Sequence, residues 1–254
     1  MEQNLTFPSA QVKRVRMKLA WAQAEIVDSA SKVHQLLIAG DDESIAELRA
    51  ELADGEIVVV QPQRSYAKEV LHRSRWLQIC LRLPRDYAGD LDVDTVTGPI
   101  GANKITGAEV ALTTVSAPIR VKGVTGNRIS LHTVSGAITG DTLRAARGGF
   151  RSVSGTISLE NILMDTVKSF TVSGETNLTL LDGCRTLDLQ SISGAACVGA
   201  EGAAKATLGS LSGQFLLGED VKDAPGCLEI TMSSMSGDLV VKSYKKRSSE
   251  EEAR

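Results

Sequence analysis

One six-residue phrase, repeated eight times, constrains this 254-residue chain more than any other feature. It reads TVTGPI from Thr95, TVSAPI from Thr114, TVSGAI from Thr133, SVSGTI from Ser152, TVSGET from Thr171, SISGAA from Ser191, SLSGQF from Ser210 and SMSGDL from Ser234. Successive starts lie 19, 19, 19, 19, 20, 19 and 24 residues apart. A fixed period of this length marks a stack of one supersecondary unit, because no single unit can bury its apolar face without a neighbour.

Taking each phrase's glycine as origin, with Ala117 in its place in the second copy, sorts the chain into columns. Two residues before it run Val96, Val115, Val134, Val153, Val172, Ile192, Leu211 and Met235; two after it begin Ile100, Ile119, Ile138 and Ile157. A third apolar column, four after it, includes Val121, Leu159, Leu178, Val198, Leu217 and Val241. The preceding stretches alternate as well, as in Ile129-x-Leu131 and Leu187-x-Leu189. Period two over short spans, with β-branched residues and glycine corners, predicts strands. The fold expected is all-β: a single-stranded β-solenoid of about eight coils of 19–20 residues, behind a β-rich capping region with one short helix. Eight coils stacked at about 4.8 Å make a rod of roughly 34 Å. The corner glycines are expected to supply positive φ, and a narrow core of Val, Ile, Leu and Ala accounts for an aromatic content of only 4%.

Charge density and residue size divide the chain into a cap at 1–92, the solenoid at 93–241 and a polar, disordered tail at 242–254. In the cap, Val15 to Val27, Val33 to Ile38, Glu56 to Val60 and Leu77 to Leu83 read as strands. Ser44-Ile-Ala-Glu47 reads as a capping box, which predicts a helix over Ile45–Leu52 closed by Asp54-Gly55. The cap is expected to cover the first coil, since an open solenoid end is an aggregation-prone edge.

The repeated T-V-S-G-x-I phrase, behind a leader ending in Leu83-Pro84-Arg85-Asp86 and a strand into Asp94-Thr95-Val96, resembles the bacterial putative-adhesin family with β-strand repeats. The resemblance spans about 10–241. It implies a β-solenoid and an interaction role, and it carries over no catalytic or binding residue. Many relatives begin with a signal or membrane segment. No such segment is read at the start of this sequence, so cytoplasm is expected as written, and the cell surface if a signal lies upstream.

Stacked chemistry is the natural signature of an enzyme on a solenoid, because equal offsets sit above one another. Six residues after the origin stand Lys104, Gly123, Thr142, Asn161, Leu180, Ala200, Glu219 and Ser243, which share no chemistry. No paired-acid ladder, Cys-x-x-Cys or Cys/His spacing is present, so catalytic residues, cofactors and metal ligands are all expected to be none. Cys184 and Cys227 share a column two coils apart, about 9–10 Å by strand spacing, which is too far for a disulfide. Asp90, Asp92 and Asp94 share a strand face and read as solvated carboxylates rather than a calcium site. A formal charge of −3 disfavours nucleic acid, and no apolar run is long enough for membrane insertion.

Two features remain as candidate interaction sites. The five-residue excess in the 24-residue unit forms a candidate recognition loop with Glu219, Asp220, Lys222 and Asp223. Thr95, Thr114, Thr133, Ser152 and Thr171 begin a candidate hydroxyl ladder, which reads either as an array for ice or another surface or as a set of side chains bonded to the corner backbone. The leading expectation is a non-enzymatic structural or interaction protein that presents a surface to a protein or glycan. The alternatives are a cytoplasmic scaffold forming homo-oligomers through its solenoid ends, a glycan-active enzyme on a β-helix, and an ice or surface binder.

Overall fold

A coil with apolar residues two and four positions past its corner gains burial only when another coil lies against it. The computed structural model describes residues 2–62, 76–218, 221 and 227–244. Its twenty strands join in one continuous sheet, which folds over into two facing ladders.

In the first ladder, β5 (Arg49–Ala53) pairs antiparallel with β6 (Glu56–Val60), and every later pairing is parallel. After β6 come β2 (Arg14–Lys18), β8 (Asp90–Thr95) and β10 (Thr106–Thr114). The second halves of β11 (Ile119–Thr133), β12 (Ile138–Ser152) and β13 (Ile157–Thr171) follow. The ladder ends with β15 (Thr186–Ser191), β19 (Leu228–Ser234) and β17 (Ala204–Ser210).

The second ladder starts with β1 (Glu2–Pro8), β4 (Val33–Gly40) and β7 (Leu77–Pro84), paired antiparallel. It continues in parallel through β3 (Gln23–Ser29), β9 (Ile100–Asn103) and the first halves of β11, β12 and β13. It closes with β14 (Thr176–Leu180), β16 (Ala196–Ala200), β20 (Leu239–Ser243) and β18 (Phe215–Leu217).

Leu112, Leu131, Phe150 and Leu189 of the first ladder and Ile119, Ile138, Ile157 and Val198 of the second are buried in the core. Each such side chain stabilises the stack by about 1.5–3 kcal/mol relative to exposure. Eleven strands make the first ladder about 48 Å long. It outruns the eight repeats because β2, β6 and β5 continue it.

One corner of each coil is the repeated phrase. Its glycines do not adopt the expected positive φ, which among described glycines occurs at Gly55, Gly123, Gly183 and Gly202. Close approach is the cause: a Cβ on Gly136 would overlap the carbonyl oxygen of Ala117, one on Gly155 that of Gly136, and one on Gly174 that of Gly155. At Ala117 a Cβ is present, and the corner bond from its amide to Thr114 Oγ1 is 3.3 Å, against 2.9 Å from Gly136 to Thr133 Oγ1. Positive φ sits at the opposite corner, in the column six after the origin, where Lys104, Gly123, Thr142 and Asn161 have φ of 53°, 67°, 58° and 53°.

The leader departs from its expected elements. The strand expected over Val15 to Val27 is two strands, because Leu19–Ala22 turns a corner of its own: a Cβ on Gly98 would strike the Ala22 carbonyl oxygen. Gln61 Oε1 accepts hydrogen bonds from the amides of Ala20, Trp21 and Ala22 at 2.9, 3.0 and 3.0 Å. It thus takes the place of the corner carbonyl that Val96 offers to Val115 and Ser116 in the next coils. The helix is α1 (Asp42–Glu47), capped by Asp41, which accepts from Ser44 N at 3.0 Å. Residues expected to extend it form β5 instead. Asp54 and Gly55, both at positive φ, make a tight hairpin turn that brings β5 back against β6.

The last two coils are exchanged in space. β19 lies between β15 and β17, and β20 between β16 and β18. The 24-residue interval is therefore the path by which the chain steps back over its preceding coil. Cys227 accordingly falls beside Cys184 in the adjacent coil, since Thr186 pairs with Glu229, and not two coils away.

Candidate functional site

The corner turns each strand between the positions three and two before the origin. The hydroxyl column therefore goes inside and the aliphatic column goes outside. Thr95, Thr114, Thr133, Ser152 and Thr171 are buried. Thr133, Ser152 and Thr171 accept from the amides of Gly136, Gly155 and Gly174 at 2.9, 2.7 and 2.9 Å, while Thr95 Oγ1 donates to the Gly98 carbonyl at 2.6 Å. This column is not available to a surface or to ice, because the corner backbone uses it. The outer serines are engaged too: Ser116 and Ser135 donate to the carbonyls of Val96 and Val115 at 3.3 and 3.4 Å. Val115, Val134, Val153, Ile192 and Met235 form an exposed aliphatic ridge along this corner.

The candidate recognition loop of Glu219, Asp220, Lys222 and Asp223 lies outside the described residues. Asp90, Asp92 and Asp94 stand in register with Arg14, Arg16 and Lys18 of β2. Arg14 reaches Asp90 at 2.8 Å and Arg16 reaches Asp92 at 3.7 Å. Burial, then the charge of Asp92, pushes the Asp94 carboxyl above its ordinary value. The three acids thus form one half of a cross-strand charge ladder. Among the described residues no group of three or more His, Cys, Asp or Glu is placed to hold a metal ion. Cys184 Sγ donates to the Ile162 carbonyl at 3.3 Å, and burial raises its thiol. It is therefore poorly disposed to act as a thiolate.

An open groove of about 740 Å³ crosses the outer face of the first ladder between β10 and β15. Strand register arranges its wall residues as a grid. Arg128, Arg147 and Thr166 stand in one row, Ser130, Gly149 and Lys168 in the next, and His132, Arg151 and Phe170 in the third. Within a strand, outward positions recur every second residue, so Arg147 and Arg151 flank Gly149 at about 6.6 Å each. Four cations meet one carboxylate in the lining, Asp188. Arg128 lies 3.9 Å from Glu109, whereas Arg147, Arg151 and Lys168 make no ion pair among the described residues. Phe170 is 38% exposed. The grid is written in the repeat at eight, six and four residues before the origin, whereas the column six after it is the opposite corner.

No helix among the described residues is long and apolar enough to cross a membrane. The sequence matches no curated protein. Among solved structures, the chain is similar to a putative adhesin from Parabacteroides distasonis ATCC 8503, with 12% identity, a TM-score of 0.59 and coverage of 94% of this chain and 97% of that one. A putative lipid binding protein from the same organism has 13% identity and a TM-score of 0.53, covering 94% and 96%. A putative adhesin from Bacteroides fragilis NCTC 9343 has 10% identity and a TM-score of 0.52, again covering 94% and 96%. Likeness at these identities establishes a shared fold. The profile of the Toastrack DUF4097 family matches residues 17–253, and the chain belongs to that family.

Proposed function

We propose that this protein is a non-enzymatic, adhesin-like binding module that works at the cell surface and presents the outer face of its first ladder to a glycan or protein. The observation that carries this reading is the groove. Arg128, Arg147, Arg151 and Lys168, the last three without an ion pair among the described residues, stand on neighbouring parallel strands that hold their spacing fixed, an arrangement suited to recognition. Similarity to chains described as putative adhesins supports it.

The purified full chain, applied to a glycan array and to intact bacterial and host cells, is expected to be retained saturably, and the double variant Arg147→Ala, Arg151→Ala is expected to be lost from the same surfaces. Release of shortened sugars from a retained glycan would instead make the protein an enzyme, and equal retention of the double variant would remove the groove from the reading.

A second reading, self-association, has its own observation. The last coil in space leaves Leu211, Phe215, Leu216 and Leu217 exposed.

A further inference from the structure

The floor of the groove is a glycine that the fold does not require. A Cβ built on Gly149 meets nothing within 4 Å, whereas one on the neighbouring inward Gly148 would run into Met164 Sδ and lie 3.1 Å from Phe150 Cζ. Gly148 is thus dictated by the core. Gly149 lies inside β12, paired on both sides by β11 and β13, where glycine weakens the sheet and a β-branched residue would serve better. A missing side chain with no steric cause marks a place where something else approaches the backbone.

The walls indicate what approaches. Arg147, Arg151 and Lys168 surround Gly149 without an ion pair among the described residues, and His132 and Arg128 stand at the diagonals. Such groups favour carboxylate or sulfate, which an arginine can hold through two parallel hydrogen bonds. Ser130, Thr113, Thr166 and Gln190 line the same groove with neutral hydrogen-bonding groups, matching hydroxyl groups between charges. Phe170 offers a half-exposed ring beside Arg151 and Lys168, a flat apolar surface for the C–H face of a sugar. The strand spacing of about 4.8 Å is close to the length of one pyranose.

Resting on the binding-module reading above, we infer that the groove over Gly149 binds an acidic polysaccharide, a chain of sugar rings bearing carboxylate or sulfate groups. The cationic patch is local. On the same ladder Asp92, Asp94 and Glu109 lie to one side and Asp188 to the other. A planar anionic membrane laid on this face would meet those acids, and a long nucleic acid would need more than one aromatic platform. A few acidic sugar rings fit between them.

The test is calorimetric titration of the full chain with polygalacturonate oligosaccharides, neutral dextran of equal length, single-stranded DNA and vesicles of anionic phosphatidylglycerol. Gly149→Val adds bulk to the floor at a position where a Cβ has open space, so its thermal midpoint should stay at or above that of the parent. Its affinity for polygalacturonate should fall by about tenfold or more, a change of about 1.4 kcal/mol. Dextran should not saturate. Unchanged affinity in Gly149→Val would overturn the site, and DNA or vesicles bound as tightly, with the same sensitivity to that variant, would overturn the ligand class. A neutral glycan captured with that sensitivity would refute acidity while leaving the binding module standing; failure to bind any of these probes or any glycan or cell surface would remove both.

Discussion

Gly155 and Gly149 lie six residues apart and answer to opposite constraints. A Cβ on Gly155 would overlap the Gly136 carbonyl oxygen and come within 3.0 Å of Ser152 Oγ, while Gly149 has open space. Gly155→Val must therefore push two coils apart at a corner that is hydrogen-bonded on both sides. We expect it to lower stability by roughly 1–3 kcal/mol, read as a drop in urea midpoint; an unchanged midpoint would contradict the close-approach account. A second residue-scale prediction concerns His34. Its ring is fully buried, edge-on to Tyr87 at 5.2 Å, and neither nitrogen has a hydrogen-bond partner among the described residues. Burial lowers its pKa from 6.5, against a smaller opposing pull from Asp86. The folded state thus holds His34 neutral below pH 6.5 while the unfolded chain takes up a proton. Stability is complete above that pH and falls below it, by up to about 1.4 kcal/mol per pH unit until the folded-state pKa is reached. The raised Asp94 carboxyl works in the opposite sense, since its protonation at falling pH favours the folded state. The difference between parent and His34→Phe isolates the histidine: urea midpoints measured at pH 7.5 and 5.5 should drop more in the parent. An equal drop in both would remove His34 from the acid response.

At the scale of elements, legibility follows how local the determining contact is. The strands after the corner phrase were readable because Ile100, Ile119, Ile138 and Ile157 recur at one offset, and all four are buried. The column two before the origin looks equally apolar, yet Val115 and Val134 are 44% and 39% exposed. Composition does not say on which side of a corner a residue falls. Backbone hydrogen bonding does: the amides of Val115 and Ser116 both close on the Val96 carbonyl, so the chain reverses there. β5 departs from the expected helix for a related reason. Arg49–Ala53 carries good helix formers, and only its pairing with β6 across Asp54-Gly55 overrides that propensity. The groove was invisible for a third reason. Its cations come from β11, β12 and β13, and their juxtaposition appears only when offsets before the corner are read down the stack.

For the whole molecule, the two ends of the rod differ, and the exchange of the last coils creates the difference. At one end the outermost strands among the described residues are β1 and β5, which carry Glu2, Pro8, Arg49 and Glu51, residues that discourage further strand pairing. At the other, β17 and β18 pair on one side only among the described residues. β18 is Phe-Leu-Leu and exposed throughout, and Leu211 beside it is 85% exposed. Lys205 of β17 is the one charge on these two strands, and the apolar remainder of the edge invites a partner edge. Because only one end has it, pairing with a second copy closes as a two-fold dimer and does not propagate into a filament. The contact would comprise ten strand residues per copy, Ala204–Ser210 and Phe215–Leu217. That is less than a standard interface of about 800 Å² per partner, so the dimer is expected to be weak, with dissociation in the micromolar range. Sedimentation equilibrium from low micromolar to high micromolar concentration should show monomer passing to dimer. Leu216→Lys, which adds a charge to the edge without altering the core, should keep the protein monomeric with an unchanged thermal midpoint. Monomer throughout for the parent, or species larger than a dimer, would show that this end does not pair in the way its strands allow.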